Sequence, residues 1–335
     1  MPRPSAESRT NSLDTASGLF DRIRSRCAEV TKRAGHVRID DVGLDAFALR
    51  LASDRWPVDD LDPAHRFSGN ESETLAFVVT LDAINFGSGW FPALHKRPGM
   101  SGYRTIATAC RERFEAQGSF GGEALRATTP ESMAEVLGQD LRRGEVAELM
   151  GLYAQAWRDL GVWLATEHDD HFESVVDKAA HSAERLVISL AEMPLYRDVS
   201  AYEELDVPFY KRAQITAADL NRAFGESRFG RFDDLDRLTL FADNLVPHVL
   251  RCGGVLVYTE SLADRIDAGD LLDVGSSEEI EIRAVALEAV ERIVSALGRL
   301  GRPTTACALD GILWNAGQAP EIKARPRHRA RTSYY

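Results

Sequence analysis

Apolar residues return every three or four positions over most of this chain, the spacing of helices that bury one face. Phe20, Ile23, Cys27 and Val30 set such a face on a helix predicted from Leu19 to Ala34. His36-Val-Arg-Ile39 reads as a short extended piece; helix resumes over Leu44 to Leu51 and ends at Trp56-Pro57. Glu71 to Ile84 is strongly helical, with Leu75, Val78, Val79 and Asp82 near one stripe. Tyr103 to Gln117 follows, stopped by Gly118, and Pro130-Glu131 begins a helical stretch to about Gly144. Longer amphipathic helices are predicted over Glu145 to Thr166 and Phe172 to Glu192, the latter closed by Pro194. Thr216-Ala-Ala-Asp219 has the form of a capping box, opening a short helix that Gly225 stops. Gly253-Gly254 turns into a brief strand, Val255 to Tyr258. Ser276-Ser-Glu-Glu279 opens a helix carrying Ile282, Val285, Ala286, Ala289, Ile293 and Leu297 on one face, ended by Gly298, Gly301 and Pro303. The expectation is a mainly α fold with a few short strands. Residues 19–335 form one compact body, or two packed lobes, around a groove, behind a loose tail over residues 1–18.

Composition narrows the class. With 335 residues, 44% hydrophobic and 27% charged, the chain has the make-up of an ordinary soluble globular protein. Nothing approaches the roughly 20 consecutive apolar residues that span a bilayer. The polar start has no signal-peptide core, so a cytoplasmic protein without a membrane partner is expected. Cys27, Cys110, Cys252 and Cys307 are scattered without zinc-ligand spacing and read as reduced thiols. A net charge of −12 weighs against a stable nucleic-acid partner, because such proteins neutralise phosphates with Lys and Arg.

Several clusters carry candidate chemistry. Arg237 to Leu250 delivers one carboxylate, Asp243, just ahead of a helix that Pro247 suits at its first turn. The bland reading of Asp243 is an N-cap; the functional one is an anion in an apolar frame, fit to stabilise a cationic transition state. Asn85-Phe-Gly-Ser-Gly-Trp-Phe-Pro92 joins close backbone approach to flat faces, and reads either as a ligand-stacking turn or as aromatic core anchors. Lys211 and Arg212 open a helix beside aromatics, suited to a phosphate or simply to a charged surface. Asp310 and Trp314, four apart, share a helix face and could bond and stack a guanine-like base, or Trp314 is core. His168-Asp-Asp-His171 lacks a third convergent ligand and reads as a solvated helix start. The stretch Lys323 to Arg331 is basic, a solvated end or an anion-binding arm.

Taken in order, these fragments resemble the queuosine salvage proteins, the queuosine 5′-phosphate N-glycosylase/hydrolases. The resemblance runs from about Asn85 to the end of the sequence. It is carried by Asn85-Phe86 with Trp90, Ser101-Gly-Tyr103, Tyr196-Arg-Asp198, Phe209 to Ile215, Leu238 to Asp243 with Val246-Pro247, Glu281-Ile-Arg283, Leu309-Asp310 with Leu313-Trp314, and His328-Arg329 ending in Tyr334-Tyr335. The chain departs from the family pattern in an extra residue before Trp90 and in Asn315, where an acid is common. The resemblance implies a fold similar to helix-hairpin-helix DNA glycosylases, and hydrolysis of the N-glycosidic bond of queuosine 5′-monophosphate to release queuine for tRNA modification. It implies Asp243 as catalytic carboxylate. Asn85, Phe86, Trp90, Phe241, Asn244, Asp310 and Trp314 would then meet the base, Asp198 and Glu281 the queuine side chain, and Lys211 and Arg212 the phosphate. These charges suffice without a metal or organic cofactor, and a monomer is expected. Two other readings compete: a base-excision glycosylase acting on nucleic acid, and a non-catalytic nucleoside-binding protein.

Overall fold

The computed structural model describes residues 18–56 and 61–335. The tail expected over residues 1–18 lies outside the described residues except for Gly18, whose carbonyl accepts from Arg22 and starts the first helix. The helices are α1 (Leu19–Arg33), α2 (Asp41–Ser53), α3 (Glu71–Asp82), α4 (Gly102–Gln117), α5 (Gly122–Arg126), α6 (Pro130–Leu137), α7 (Gly144–Glu167), α8 (Phe172–Ala179) and α9 (Ala183–Leu190). They continue as α10 (Lys211–Phe224), α11 (Val246–Cys252), α12 (Glu260–Ala268), α13 (Ser277–Arg299), α14 (Ala306–Ala316) and α15 (Pro320–Lys323). Two small antiparallel ladders complete the fold. Strand β1 (Val37–Ile39) pairs with β4 (Leu256–Tyr258), Val37 opposite Tyr258, and β2 (Val199–Tyr202) pairs with β3 (Leu205–Pro208), Val199 opposite Pro208. The architecture is mainly α, as the periodicity predicts.

The centre is α13, with α1, α2, α11 and α14 packed on it. Ser276 caps it by accepting from the Glu279 N–H, and Ile280, Ile282, Val285, Leu287, Val290 and Ile293 are fully buried. Burying each such side chain stabilises by roughly 1.5–3 kcal/mol. Helix α3 departs from the one-sided stripe: every residue from Leu75 to Asp82 is buried. A helix hydrophobic all round belongs inside, and that placement takes Asp82 in with it.

Three boundaries differ from the sequence reading. The stretch Phe172 to Glu192 breaks into α8 and α9 because Ala180 and His181 take φ of 46° and 61°, left-handed values no helix continues through. Gly138, also left-handed, ends α6 six residues before Gly144 opens α7. The supposed capping box at Thr216 lies inside α10; its hydroxyl donates back to the Arg212 carbonyl instead of capping.

Candidate functional site

A cleft of about 1080 Å³ opens between α4, α10, the loop ahead of α11, α14 and the stretch from Lys323 to Arg329. Asp243 lines it. The loop that carries this residue is fixed from three sides. Gln214 of α10 accepts from the Thr239 N–H at 2.8 Å, Arg283 of α13 donates to the Ala242 carbonyl at 3.0 Å, and Asp310 of α14 accepts from the Phe241 N–H at 3.2 Å. Asp243 is itself half-buried. Its Oδ1 accepts from the N–H groups of Leu245 (2.7 Å) and Val246 (3.1 Å), donors left free at the start of α11. Among the described residues no hydrogen bond engages Oδ2. The cap and the catalytic candidate are therefore one side chain, whose capping contacts occupy one of its two oxygens.

Asp310 faces the same space from α14 and is 7% exposed. Burial, and then the charge of Asp243, push its carboxyl up to about 8. A carboxyl held that high favours its protonated form at neutral pH, with a hydroxyl to donate and a carbonyl oxygen to accept. Trp314, one turn further along α14, lines the cleft with the Arg104 guanidinium 5.8 Å above its ring. Asn85, Phe86, Phe241 and Asn244 line it as well. Asn244 donates from its amide to the His328 carbonyl at 3.3 Å, tying the loop to the last stretch of the chain.

Lys211 opens α10 after Tyr210, whose φ of 47° and ψ of 41° are left-handed. The strained backbone is held where the N–H groups of Phe209 and Tyr210 both donate to the Asp198 carbonyl. Lys211 is buried, and its Nζ donates to the Asn85 carbonyl at 3.2 Å. Burial holds its pKa below the ordinary value, an effect that the Asp243 carboxylate opposes.

Four predicted site residues do not reach this cleft. Arg212 is buried, donates to the carbonyls of Ala83 and Leu195, and packs over the rings of Phe86 and Tyr196. Asp198 is paired through both oxygens with Arg283, at 3.0 and 2.6 Å. Glu281 accepts from the N–H groups of Gly35, His36 and Val37 and from the Tyr202 hydroxyl. Trp90 donates its indole N–H to Glu148 and borders a separate, smaller hollow. The fold engages each of these side chains away from the lining of the cleft.

Others enter the site unannounced. Arg327 lines the cleft; burial lowers its pKa, Asp243 opposes that, and among the described residues its guanidinium has no hydrogen-bond partner. Lys323 and Arg325 stand beside it on the exposed rim. The stretch that read as a solvated basic end or an anion-binding arm thus forms part of the cleft wall, pinned where Arg329 bridges Leu271. At another part of the cleft wall, His65 and Asp219 join at 2.9 Å, with Arg222 on the other Asp219 oxygen at 2.9 Å. Asp82 lies behind them, and the three side chains offer ligand atoms within 4.8 Å of one another. His168 and His171 form no such group: His168 is buried against Trp163, with ring centroids 4.2 Å apart. The signal for His65 and Asp82 was faint, a lone histidine near the stretch outside the described residues and one acid in an apolar helix.

A family model described as queuosine salvage protein matches residues 64–335. The queuosine 5′-phosphate N-glycosylase/hydrolase of Sphaerobacter thermophilus is 35% identical over 273 residues, covering 78% of this chain and 82% of that one. Proteins of the same name from Dictyostelium discoideum and Mus musculus are 27% and 28% identical, covering 93% and 91% of this chain and 98% and 96% of theirs. With Asp243 and Asp310 facing one nucleotide-sized cleft and a match over most of its length, the chain belongs to the queuosine salvage protein family.

Proposed function

We propose that this chain hydrolyses the N-glycosidic bond of queuosine 5′-monophosphate, releasing queuine for reuse in tRNA. The observation that carries the reading is that Asp243, with one oxygen in hydrogen bonds to the start of α11, and the buried Asp310 line one cleft. As the bond between C1′ and the base nitrogen stretches, positive charge builds on the sugar. A carboxylate fixed beneath it stabilises that charge without reorganising, a contribution of several kcal/mol in a water-poor site. Asp243 then accepts a proton from the water that adds to C1′. The departing 7-deaza base has carbon where guanine offers a protonatable ring nitrogen, so its charge must be spread over the pyrimidine edge. A protonated Asp310 is suited to that edge, because its hydroxyl donates to the ring carbonyl while its own carbonyl accepts from the neighbouring ring N–H. Phe86, Phe241 and Trp314 offer faces to the base, and Asn85 and Asn244 offer amides at its margin. The products are queuine and ribose 5-phosphate: the hydroxyl of the water stays on C1′, and the proton first taken by Asp243 ends on the ring nitrogen that the sugar leaves.

The phosphate belongs, in this reading, with Lys211 and Arg327, two cations whose charge Asp243 favours, while Lys323 and Arg325 draw the dianion in. Residues 19–335 are read as one catalytic domain acting as a monomer in the cytoplasm. No helix among the described residues is long and apolar enough to cross a membrane. The likeness to helix-hairpin-helix glycosylases is kept on the position of Asp243 just before α11. The basic rim also suits a polynucleotide, which keeps the base-excision reading as the competitor. Incubation with queuosine 5′-monophosphate, followed by chromatography of the free base, tests the proposal. Release is expected from the nucleotide and not from queuosine within an oligonucleotide. Absence of release from the nucleotide would remove it.

A further inference from the structure

Buried polar atoms without partners are uncommon, because each one loses its water without replacement. Several of them gather at one place in this molecule. Both carboxylate oxygens of Asp82 and the Nε2 of His65 are buried with no hydrogen bond, and the Tyr103 hydroxyl is in the same state. The Tyr103 ring lies edge-on to His65 at 5.4 Å. Asp82 sits at the C-terminal end of α3, where the helix dipole also disfavours an anion. His65 is held in orientation: Nδ1 engages Asp219, and Asp219 is itself engaged by Arg222. That arrangement spends Asp219 on aiming His65 and leaves Nε2 and the two Asp82 oxygens unused. His65, Asp219, Tyr103 and Asn85 all line the cleft that holds Asp243.

We propose that Asp82 and His65 form the subsite for the polar substituent that queuosine carries at position 7 of its base, a secondary ammonium bearing a vicinal diol. The inference rests on the function proposed above and adds a determinant of substrate choice to it. A carboxylate whose only near side-chain donor is Asn85, with neither oxygen in a well-formed hydrogen bond, can accept two adjacent hydroxyl protons or an ammonium proton, and Nε2 supplies a third polar contact. A divalent metal is the other ligand for such a group. The surrounding charges argue against it: Arg222 is bonded to Asp219, and the positive charges of Lys211 and Arg212 both act on Asp82. Burial, then the neighbouring Asp219, push the Asp82 carboxyl up to about 7, and His65, the adjacent Asn85 side chain and Lys211 oppose them. A ligand that donates protons to it relieves a cost the unliganded protein carries.

The test compares three substrates on the intact protein: queuosine 5′-monophosphate, 7-aminomethyl-7-deazaguanosine 5′-monophosphate, which keeps an amine without the diol, and 7-deazaguanosine 5′-monophosphate, which has neither. The parent should prefer the first over the last by roughly 100-fold in kcat/KM, the kind of ratio a site built for hydrogen bonds imposes on an analogue lacking them. The aminomethyl compound assigns the preference: near the first it marks the amine as the group recognised, near the last the diol. Asp82→Asn and His65→Gln should each shrink the ratio at least about tenfold, mostly by loss on queuosine 5′-monophosphate. Circular dichroism and thermal melting check that both variants fold, and Asp82→Asn, which replaces a buried acid whose charge burial disfavours, should melt no lower than the parent. Equal losses on all three substrates would overturn the subsite. So would a stoichiometric metal in the purified parent that Asp82→Asn fails to retain. A parent inactive on every substrate would instead strike the proposed function itself.

Discussion

Two sets of buried charges in this molecule use the same residue types to opposite ends. Around α13, Asp198 and Arg283 meet through two hydrogen bonds, Arg283 also donates to Ala242, and its guanidinium lies 3.9 Å over the Phe209 ring. Glu281 nearby takes three backbone N–H groups and a tyrosine hydroxyl. Along the cleft, Asp243 has one oxygen engaged, the Asp310 carboxyl is pushed up to about 8 and Arg327 has no hydrogen bond among the described residues, while behind the wall neither oxygen of Asp82 is in a well-formed hydrogen bond. A saturated buried ion pair holds a fold in place; a half-saturated set leaves lone pairs and protons for something that arrives later. Residue identity and burial do not separate the two sets. What separates them is how many of their valences the protein has already used.

The sharpest way to break the comparison is to remove Asp243. Asp243→Ala should lose at least about 10³-fold in kcat/KM, with Asp243→Asn nearly as poor, while free queuine still binds in a calorimeter. The cap oxygen it also supplies should cost only about 1 kcal/mol of stability; substantial turnover by either variant would place Asp243 on the structural side. The converse change is Asp198→Ala, which strands Arg283 in the core. It should destabilise by about 3–5 kcal/mol in urea unfolding; a stable variant with altered substrate choice would instead put Asp198 in the site.

Asp310 sharpens the comparison through pH. Its pKa is raised, so the required neutral form is present below about 8 and is lost above it. Activity should fall on that alkaline limb. The same sign applies to stability: the unfolded chain gives up this proton near the ordinary carboxyl range, so the group's contribution declines as pH rises from about 4 to 8. Asp310→Asn, whose amide keeps a donor and an acceptor, should retain more activity than Asp310→Ala and should lack the limb. An unchanged limb in a pH–rate profile would move the titration elsewhere. The smallest effect is expected at Arg327: Arg327→Ala should raise KM for the 5′-phosphate by about tenfold, the order of one charge-assisted contact, and barely alter it for the unphosphorylated nucleoside. Equal shifts on both would free the phosphate from this residue.

How much of this was legible in the sequence follows the same division. Periodicity located the long helices because each buries an apolar face, and Asp243 stood out because Pro247 marks the helix behind it. The resemblance gathered Asp198, Glu281 and Arg212 along with Asp243 and Asp310, since a motif does not tell a residue saturated within the fold from one that faces the cleft. Only three-dimensional accounting of hydrogen bonds sorts them. The break at Ala180 and the burial of Asp82 were hidden for another reason: backbone handedness and the far side of a helix depend on neighbours distant in the chain. The wall of Lys323, Arg325 and Arg327 was visible as charge, while its direction was not.

The loop that bears Asp243 is held by side chains from three helices, α10, α13 and α14: Gln214, Arg283 and Asp310. A partly folded chain in which any one of those helices is unpacked has no shaped site, however much helix it contains. Nucleotide cleavage should therefore emerge with the last step of refolding, after the circular dichroism signal has recovered, and it would report completion of the native state more strictly than helix content does.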